Sequence, residues 1–374
     1  MSVLIDASAI HEHSGGAGRY LRGLVRTLPG AGVDPIVMAR RNDFSPWEGA
    51  LEVRRQAPRR RPNRLLWEQL GLPRSIDDDI DVLHSPHYSM PVRVRKGLRR
   101  VVTIHDLSFF THPGGHSTVK RRYFRRAIAH ASLHADALIC ISQTTADELH
   151  RLVPVRAAVH VVAHGVDHSR FRPSAPGDID ETEMLARLGV STPFILHLGA
   201  IEPRKNVGAL VAAYDEVMRR THVGELTLVL AGRPWRNMTV PQPERGRLLR
   251  LGFVADEAVP ALLRAASAVA YPSVAEGFGL PVLEALACGA PVVTTGGTVM
   301  EEVAGNAALY VRDGNAGAAD PDAAFVKDLA IQLERALDGD GPTRTTRLSR
   351  ARPFTWEACA AAHAAVYGGV HLGR

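Results

Sequence analysis

The chain has 374 residues, of which 45% are hydrophobic and 22% are charged, values that are ordinary for a globular protein of about two domains. Its net charge of +6 is divided unevenly, because residues 1–173 hold 26 basic and 16 acidic residues and the remainder holds 19 and 23. With three scattered cysteines, no basic-apolar leader and no apolar run near 18 residues, the composition excludes a disulfide scaffold and a membrane-spanning protein, and we expect buried thiols and a cytoplasmic location.

Short apolar runs alternate with helical patterns through the first half of the chain. In "GRYLRGLVRTL" the apolar residues return every three or four positions, which predicts an amphipathic helix. The apolar runs read as strands, and they are "SVLIDA", "DPIVMA", "DVLHSP", "RRVVTIHD", "DALICIS" and "AVHVVAHGVD". Nearly continuous apolar strands that alternate with helices predict a parallel, doubly wound sheet.

A break at residues 170–183, with two prolines, a glycine and an acidic run, separates this half from a second one of the same kind. There "PFILHLGA", "LTLVLAG", "LLRLGFV", "ASAVAYPS", "PVVTT" and "AALYV" are predicted strands. We therefore predict an α/β protein with two Rossmann-like domains facing across a cleft: residues 1–172, which bind an acceptor, and residues 173–350, which bind a donor. Residues 351–374 are predicted to form a helix that returns to the first domain. Ligands bind at the carboxyl ends of strands in such sheets, so polar residues there are the candidates.

The stretch "AEGFGLPVLEALACGAPVV" (residues 275–293) places two glutamates around a glycine-rich helix start. Pro281 suits a first helical turn, and Gly289 suits a C-terminal cap. The backbone N–H groups of residues 277–280 (Gly277, Phe278, Gly279 and Leu280) would form an anion site suited to phosphate. Glu276 and Glu284 would repel phosphate but accept hydroxyl bonds. The stretch fits a nucleotide-sugar, with Glu284 on the ribose and Glu276 on the sugar.

In "HLGAIEPRKNV", Arg204 and Lys205 lie in a turn after a strand and before a helix. Cations there would neutralise a diphosphate, and in a transfer reaction they would stabilise charge on the leaving group.

These motifs resemble the E-x7-E signature of the retaining glycosyltransferases of family four, which have the GT-B fold. "GAIEPRKN", "LGFV", "YPS", "GVDHSRFRP" and "GGAGRY" match that family in order, densely from about residue 190 to 295. The resemblance implies that Glu276 contacts the transferred sugar, Glu284 the ribose, and Arg204 and Lys205 the diphosphate. It also implies front-face substitution with retention. Ala200 and His164 depart from the family pattern, so Arg204 must supply the charge that many members carry at position 200.

In the first half, "SGGAGRY" follows a strand and opens a helix. It lacks the third glycine of a dinucleotide fingerprint, and we expect Gly16 to reach the donor phosphates instead. The strand end in "VVTIHDLSFF" carries His105, which the resemblance places near the transferred sugar, followed by Asp106. Tyr20, His87 and Tyr88 are weaker candidates for the acceptor pocket.

Alternative functions remain open at this point. An epimerase or hydrolase of nucleotide-sugars shares the fold, and a non-catalytic sugar-binding protein would keep the motifs without turnover. A metal-dependent enzyme would use an Asp-x-Asp pair after a strand, but Asp77, Asp79 and Asp81 precede theirs. We therefore expect no metal and no cofactor.

The expected partners are a nucleotide-sugar and an acceptor that is a glycan, a lipid-linked molecule or a small molecule. The donor is GDP-mannose or a UDP- or dTDP-sugar, with mannosyl transfer favoured by resemblance. The basic first half would hold the acceptor and suits peripheral contact with an anionic membrane. Charge alone does not indicate nucleic acid, because no basic motif is interleaved with aromatic residues.

Overall fold

The computed structural model describes residues 1–10, 15–112, 116–175, 181–220, 225–235, 238–314 and 322–369. Contacts divide the chain into a first unit, residues 1–165 with 354–374, and a second unit, residues 166–353. The boundaries expected from the sequence were 172/173 and 350/351, which differ from these by seven and three residues. Within the described ranges, none of the helices combines the length and apolarity that a bilayer crossing requires.

The first unit contains a seven-stranded sheet with all neighbours parallel, in the order β3-β2-β1-β4-β5-β6-β7. Buried apolar side chains fill both faces of the central strands, as the apolar runs predict. The strands are β1 (Ser2–Asp6), β2 (Asp34–Arg40), β3 (Glu52–Ala57), β4 (Val82–Ser85), β5 (Arg99–Ile104), β6 (Ala137–Cys140) and β7 (Ala158–Val161). The strand order reverses between β1 and β4, which makes their carboxyl ends a topological switch point.

Five helices of the first unit precede its last strand. The first, α1, buries Tyr20, Leu21, Leu24 and Val25 on one face, as its spacing predicts. The helices are α1 (Gly15–Thr27), α2 (Arg61–Leu70), α3 (Ser108–Thr111), α4 (Thr118–His134) and α5 (Gln143–Leu152).

The second unit contains a six-stranded parallel sheet in the order β10-β9-β8-β11-β12-β13. Its strands are β8 (Phe194–Leu198), β9 (Thr227–Ala231), β10 (Arg247–Gly252), β11 (Ala268–Tyr271), β12 (Val292–Thr295) and β13 (Leu309–Val311). Its helices are α6 (Glu181–Arg187), α7 (Val207–Arg220), α8 (Val259–Ala265), α9 (Leu280–Cys288), α10 (Val299–Ala304), α11 (Ala323–Leu337) and α12 (Arg344–Ala351). The order reverses between β8 and β11, which is the second switch point. The predicted architecture of two doubly wound α/β domains is confirmed.

The C-terminal helix α13 (Trp356–Tyr367) packs in the first unit, against α1. The Trp356 ring and backbone lie where side chains on Gly23 and Gly165 would stand, since a Cβ added at either glycine would come within 2.4 Å of Trp356. These two glycines therefore allow the close approach of α13.

A chain of buried hydrogen bonds joins α13 to the centre of the first sheet. His363 Nδ1 lies 2.8 Å from the Cys359 carbonyl, so this nitrogen donates, and Nε2 accepts from the Tyr20 hydroxyl at 2.9 Å. Tyr20 lies 3.0 Å from Thr103, which lies 2.8 Å from His84 Nε2. The Tyr367 hydroxyl completes the chain, 2.8 Å from His84 Nδ1. With both histidines neutral, every bond has one donor and one acceptor: Tyr367 donates to His84 Nδ1, His84 Nε2 to Thr103, Thr103 to Tyr20, and Tyr20 to His363 Nε2.

Burial keeps these imidazoles neutral, which makes the stability of the first unit depend on pH. Burial lowers the pKa of His363 to about 4 and that of His84 well below its usual range, and it also lowers the pKa values of His105 and His164. Such groups bind more protons when unfolded, so their contribution is complete above the unfolded pKa of about 6.5 and is lost as pH falls toward 4.

We therefore predict that the free energy of unfolding falls between pH 7 and pH 4.5, and that His363→Gln makes this slope shallower. Urea unfolding at a series of pH values measures the slope. His150→Gln on α5 is the control and should keep the wild-type slope. An unchanged slope in His363→Gln would contradict the neutral assignment.

Candidate active site

The predicted donor residues of the second unit come from the two loops that flank its switch point. Arg204 and Lys205 lie in a short 3-10 turn after β8, and Glu276 lies in the loop after β11. Since β8 and β11 are neighbours in the sheet, their carboxyl ends bring the three side chains together.

These side chains form a cluster of ion pairs. Arg204 Nη1 lies 2.6 Å from Glu276 Oε2, and Lys205 Nζ contacts Glu276 Oε1. Arg204 Nη2 lies 2.5 Å from Glu202, and Arg204 Nη1 also donates to the Ala275 carbonyl at 3.0 Å. Burial by itself would raise the pKa of Glu276, but Lys205 and Arg204 outweigh it and lower that pKa to about 2. Two cations and two carboxylates thus form a cluster that is neutral as a whole.

The sequence analysis assigned Glu276 to the sugar and the two cations to a diphosphate, and it did not predict that they pair. In this structure both oxygens of Glu276 contact these two cations. The reason is electrostatic, because a nearly buried carboxylate and a buried ammonium stabilise each other when they adjoin.

The helix start between the two glutamates has the predicted form. Gly279, which has no side chain that could cap the helix, is the N-cap of α9 with φ of 90°, and Pro281 lies in the first turn. Gly289 ends the helix in the left-handed conformation. Glu284 lies one turn into α9 and is 2% exposed. Phe278 and Leu280 are buried and Gly277 is half-buried, so the backbone of residues 277–280 forms the approach to the positive end of α9.

Three buried polar residues at this edge escaped the sequence interpretation. His197 on β8 donates from Nδ1 to the Ala270 carbonyl at 3.0 Å, and burial lowers its pKa to about 4. Within the described part of the chain, its Nε2, Ser273 Oγ after β11 and Thr295 Oγ1 at the end of β12 have no hydrogen-bond partner. A buried polar atom without a partner costs free energy, so these atoms suit ligand hydroxyls. The sequence does contain a signal for these three residues, because each is a polar residue at or near the end of an apolar strand.

A separate pocket of about 290 Å³ lies at the carboxyl ends of β9 and β10. Ile201, Pro234 and Val240 give it apolar walls, and Gln242 and Arg250 supply polar groups. Such a mixture suits a planar, partly polar ring. We did not predict this pocket, because its lining residues come from separate loops and strands between Ile201 and Gly252.

In the first unit, His105 lies just after β5 among the other aromatic candidates. Its Nε2 is 2.7 Å from the Pro86 carbonyl, so this nitrogen donates and Nδ1 is the acceptor. Its ring centroid lies 5.3 Å from that of Tyr20, 5.8 Å from Tyr88 and 6.0 Å from His87. The structure therefore brings together four residues from three separate segments of the sequence.

The other candidates of the first unit differ in their surroundings. Tyr20 is fully buried and its hydroxyl contacts Thr103 and His363, so it supports His105 from within the core. Tyr88 is buried with φ of 63°, a strained conformation for a tyrosine, which is typical of functional loops. Asp106 accepts from the Ser108 N–H at 2.9 Å, at the start of α3. Gly16 lies exposed in the first turn of α1, and Ser14 beside it lies outside the described residues.

Side chains that could bind a metal ion are not clustered in the described part of the chain. Among the described residues, no three His, Cys, Asp or Glu side chains are grouped so as to hold a metal ion. All three cysteines are buried and free.

Comparison with known sequences decides the family. The family described as Glycosyltransferase Family 4 matches residues 14–170, and the family described as Glycosyl transferases group 1 matches residues 192–337. The O-antigen chain mannosyltransferase B of Escherichia coli is 33% identical over 290 residues, which cover 74% of this chain and 71% of that protein. This chain is a family 4 glycosyltransferase.

Further relatives include a D-inositol 3-phosphate glycosyltransferase of Actinosynnema mirum, 31% identical over 77% of this chain and 72% of that protein. Among solved structures, sucrose-phosphate synthase from Thermosynechococcus elongatus aligns with a TM-score of 0.72 at 19% identity, covering 99% of this chain and 98% of that one. Anabaena HepE in complex with UDP-glucose aligns with a TM-score of 0.71 at 18% identity, covering 99% of each chain. These likenesses support the two-domain GT-B fold of this glycosyltransferase.

We predict that Gly279→Ala destabilises this glycosyltransferase by about 1–2 kcal/mol, because φ of 90° strains any residue with a Cβ. Space is not the cause, since the added Cβ would lie 3.4 Å from Met300 Cγ, an ordinary contact. Gly208→Ala in α7 is the matched control, because nothing lies within 4 Å and the site is helical. The control should stabilise the protein by about 0.5–1 kcal/mol in urea unfolding. Equal effects of the two substitutions would refute the strain argument.

Proposed function

We propose that this glycosyltransferase moves a hexose from a nucleoside-diphosphate sugar to an acceptor hydroxyl with retention of the anomeric configuration and without a metal. The observation that carries the proposal is the contact of Arg204 and Lys205 with the loop residues Ala275 and Glu276, which precede the positive end of α9 at the switch point of the second sheet. Two cations and a helix start form a site for a diphosphate, because each stabilises negative charge.

The four parts of the donor would contact different residues of the site. Its diphosphate would contact Arg204, Lys205 and the N–H groups at residues 277–280, and its ribose would contact Glu284. The base would enter the pocket at the ends of β9 and β10, whose volume of about 290 Å³ suits one ring system. The sugar would meet Glu276 and the buried acceptor atom His197 Nε2.

Donor binding would change the partners of Glu276. The carboxylate now neutralises both cations, so the diphosphate must take its place on Arg204 and Lys205. Freed from them, Glu276 would need new donors, because a nearly buried charge without partners is costly. The sugar hydroxyls would supply these donors. The exchange explains how one carboxylate serves an anion site before the donor binds and a sugar site afterwards.

The chemical step balances without a protein nucleophile. The bond between the anomeric carbon and the diphosphate oxygen breaks while the acceptor oxygen bonds to the same face of that carbon. The acceptor proton passes to the departing phosphate oxygen. Arg204, Lys205 and the α9 start stabilise the charge that grows on this group. His105 would accept a hydroxyl bond through Nδ1, since Nε2 is committed to the Pro86 carbonyl.

The donor sugar is proposed to be mannose, carried by GDP. Support comes from the relative in Escherichia coli that is a mannosyltransferase and from the resemblance of the "GAIEPRKN" and "GGAGRY" motifs. A UDP- or dTDP-sugar is the alternative. We propose a glycan or lipid-linked acceptor held by the first unit, with Gly16 reaching the donor phosphates, and we propose a cytoplasmic enzyme that needs no cofactor.

The experiment that tests the function measures transfer directly. A thermal-shift screen of GDP, UDP, dTDP and ADP sugars first identifies the donor, and the anomeric proton coupling in the NMR spectrum of the product reports its configuration. Lys205→Ala and Glu276→Ala should abolish transfer, because each removes a donor contact. Wild-type turnover in either variant, an inverted product, or donor consumption that needs no acceptor would refute the proposal.

If Glu276 exchanges its cation partners for sugar hydroxyls when the donor binds, its substitution should change nucleotide binding and catalysis in opposite directions. Glu276→Gln removes the charge that competes with the diphosphate, so the free nucleoside diphosphate should bind roughly tenfold more tightly, while transfer falls at least about a hundredfold. Isothermal titration calorimetry measures the binding. Glu284→Gln is the control and should weaken nucleotide binding through the ribose. Weaker binding of the nucleoside diphosphate to Glu276→Gln would contradict the exchange.

A further inference from the structure

The segment that follows β4 carries two of the candidate acceptor residues, His87 and Tyr88, and we call residues 86–92 the Tyr88 loop. Its first residue, Pro86, contacts the other candidate of the first unit. The Pro86 carbonyl accepts a hydrogen bond from His105 Nε2 at 2.7 Å. The proton on the His105 ring therefore depends on where the Tyr88 loop places this carbonyl, because the tautomer of a neutral imidazole follows the hydrogen bonds of its nitrogens.

The backbone of the Tyr88 loop is strained. Tyr88 has φ of 63°, and its N–H donates to the Thr103 carbonyl at 3.1 Å. The next N–H, that of Ser89, donates to the His87 carbonyl at 2.7 Å, which closes a tight turn. A strained backbone persists only when the surrounding contacts hold it. The contacts that hold this loop therefore also hold the ring of His105.

Helix α2 supplies the contacts on the other side of the Tyr88 loop. The Glu68 side chain hydrogen-bonds to the Ser89 side chain. The next residue, Gln69, donates to the Met90 carbonyl at 3.2 Å and accepts from the Val92 N–H at 2.9 Å. Two consecutive residues of α2 thus hold three residues of the loop, and Glu68 holds the one that directly follows Tyr88.

Glu68 belongs to a buried ion pair. Glu68 is 1% exposed, and its Oε2 lies 2.8 Å from Nη1 of Arg64, one turn earlier on α2. Burial and the nearby carboxylate of Asp6 raise the pKa of Glu68, although Arg64 and Ser89 oppose the shift. A buried ion pair is often no more stabilising than apolar residues of similar volume. Stability alone therefore does not account for a carboxylate at this position.

We propose that Glu68 is a positioning residue for the acceptor side of the reaction. Acting through Ser89, it holds the Tyr88 loop in the conformation that keeps the Pro86 carbonyl on His105 Nε2, and this leaves His105 Nδ1 to accept a substrate hydroxyl. A carboxylate suits the task because it accepts a stronger hydrogen bond than a neutral group does. The role of His105 toward a substrate rests on the proposed function, whereas the link from Glu68 to the ring does not.

The tautomer of His105 reports this positioning without any turnover. Burial lowers the pKa of His105, so the ring is neutral and carries one proton at neutral pH. We expect a correlation spectrum of ¹⁵N-labelled imidazoles to show a protonated Nε2 and an unprotonated Nδ1 for His105 in the wild type. The signals that disappear in His105→Gln assign the ring.

Two charge-free double variants separate positioning from stability. Arg64→Met with Glu68→Leu removes the ion pair and the acceptor of the Ser89 hydroxyl, so the His105 signals should move toward a mixture of tautomers. Arg64→Met with Glu68→Gln also removes the charges but keeps an acceptor oxygen, so it should retain the wild-type tautomer. Urea unfolding should show both proteins folded, because neither contains an unpaired charge at the pair.

Ser89→Ala breaks the same link from the loop and leaves the ion pair intact. It should change the His105 tautomer in the same direction, and it tests the inference even where a double variant does not fold. Asp215→Asn is the control, because Asp215 is a nearly buried carboxylate that holds the Arg245 N–H at 3.0 Å in the second unit. The control should lose stability and keep the wild-type signals of His105.

Transfer kinetics supply the second readout once the donor is identified. Arg64→Met with Glu68→Leu should lower kcat/KM for the acceptor at least about tenfold and leave KM for the donor within about twofold, because the candidate donor residues lie in the second unit. Arg64→Met with Glu68→Gln should restore most of the loss. A purely structural pair would change neither constant selectively.

Three results would overturn the inference. They are a wild-type His105 tautomer in both Ser89→Ala and the Glu68→Leu double variant, an equal change in Asp215→Asn, and an equal loss in the Glu68→Leu and Glu68→Gln double variants. The spectrum and the kinetics also keep the two proposals apart. An enzyme that transfers sugar but shows an unchanged tautomer in the variants refutes only the positioning, and a protein that transfers no sugar refutes only the proposed function.

Discussion

The pairing of Glu276 with Arg204 and Lys205 is the interaction on which the chemistry proposed for the second unit depends. Two neighbouring strands, β8 and β11, end at the same edge, and their loops carry charges of opposite sign to one place. Without the carboxylate, a buried lysine and an arginine would face each other across a low-dielectric edge, which is costly. The carboxylate therefore neutralises the two cations, and in the proposed function a diphosphate would compete with it for them.

The first unit supports its candidate site by different means. His105 is held by one carbonyl and by the rings of Tyr20, Tyr88 and His87, and Tyr20 is in turn held by His363 from the C-terminal helix. His363, near the end of the chain, thus supports His105 through one hydrogen bond to Tyr20 and the ring contact between Tyr20 and His105. Charge is absent from this arrangement, because burial keeps the histidines neutral.

The sequence was sufficient for the fold and for placing the candidate residues at strand ends and at a helix start, because strands buried on both faces and helix caps leave local signals. The apolar runs predicted the parallel strands, and Pro281 and Gly289 predicted the bounds of α9. Contacts between residues that are distant in the sequence could not be predicted. No local sequence pattern shows that Glu276 contacts Lys205, which is 71 positions away in the chain. The same holds for Tyr20, whose burial follows from contact with a helix that begins more than 300 residues later. His197 and Ser273 were visible as polar residues at strand ends, but only the sheet register shows that they share an edge with Glu276.

The most direct test of this account is a crystal structure of the protein with an intact nucleoside-diphosphate sugar bound. The account predicts that Arg204 and Lys205 contact the diphosphate and that the Glu276 carboxylate has moved to the sugar hydroxyls. A bound donor with Glu276 still paired to both cations, and with no contact to the sugar, would contradict it.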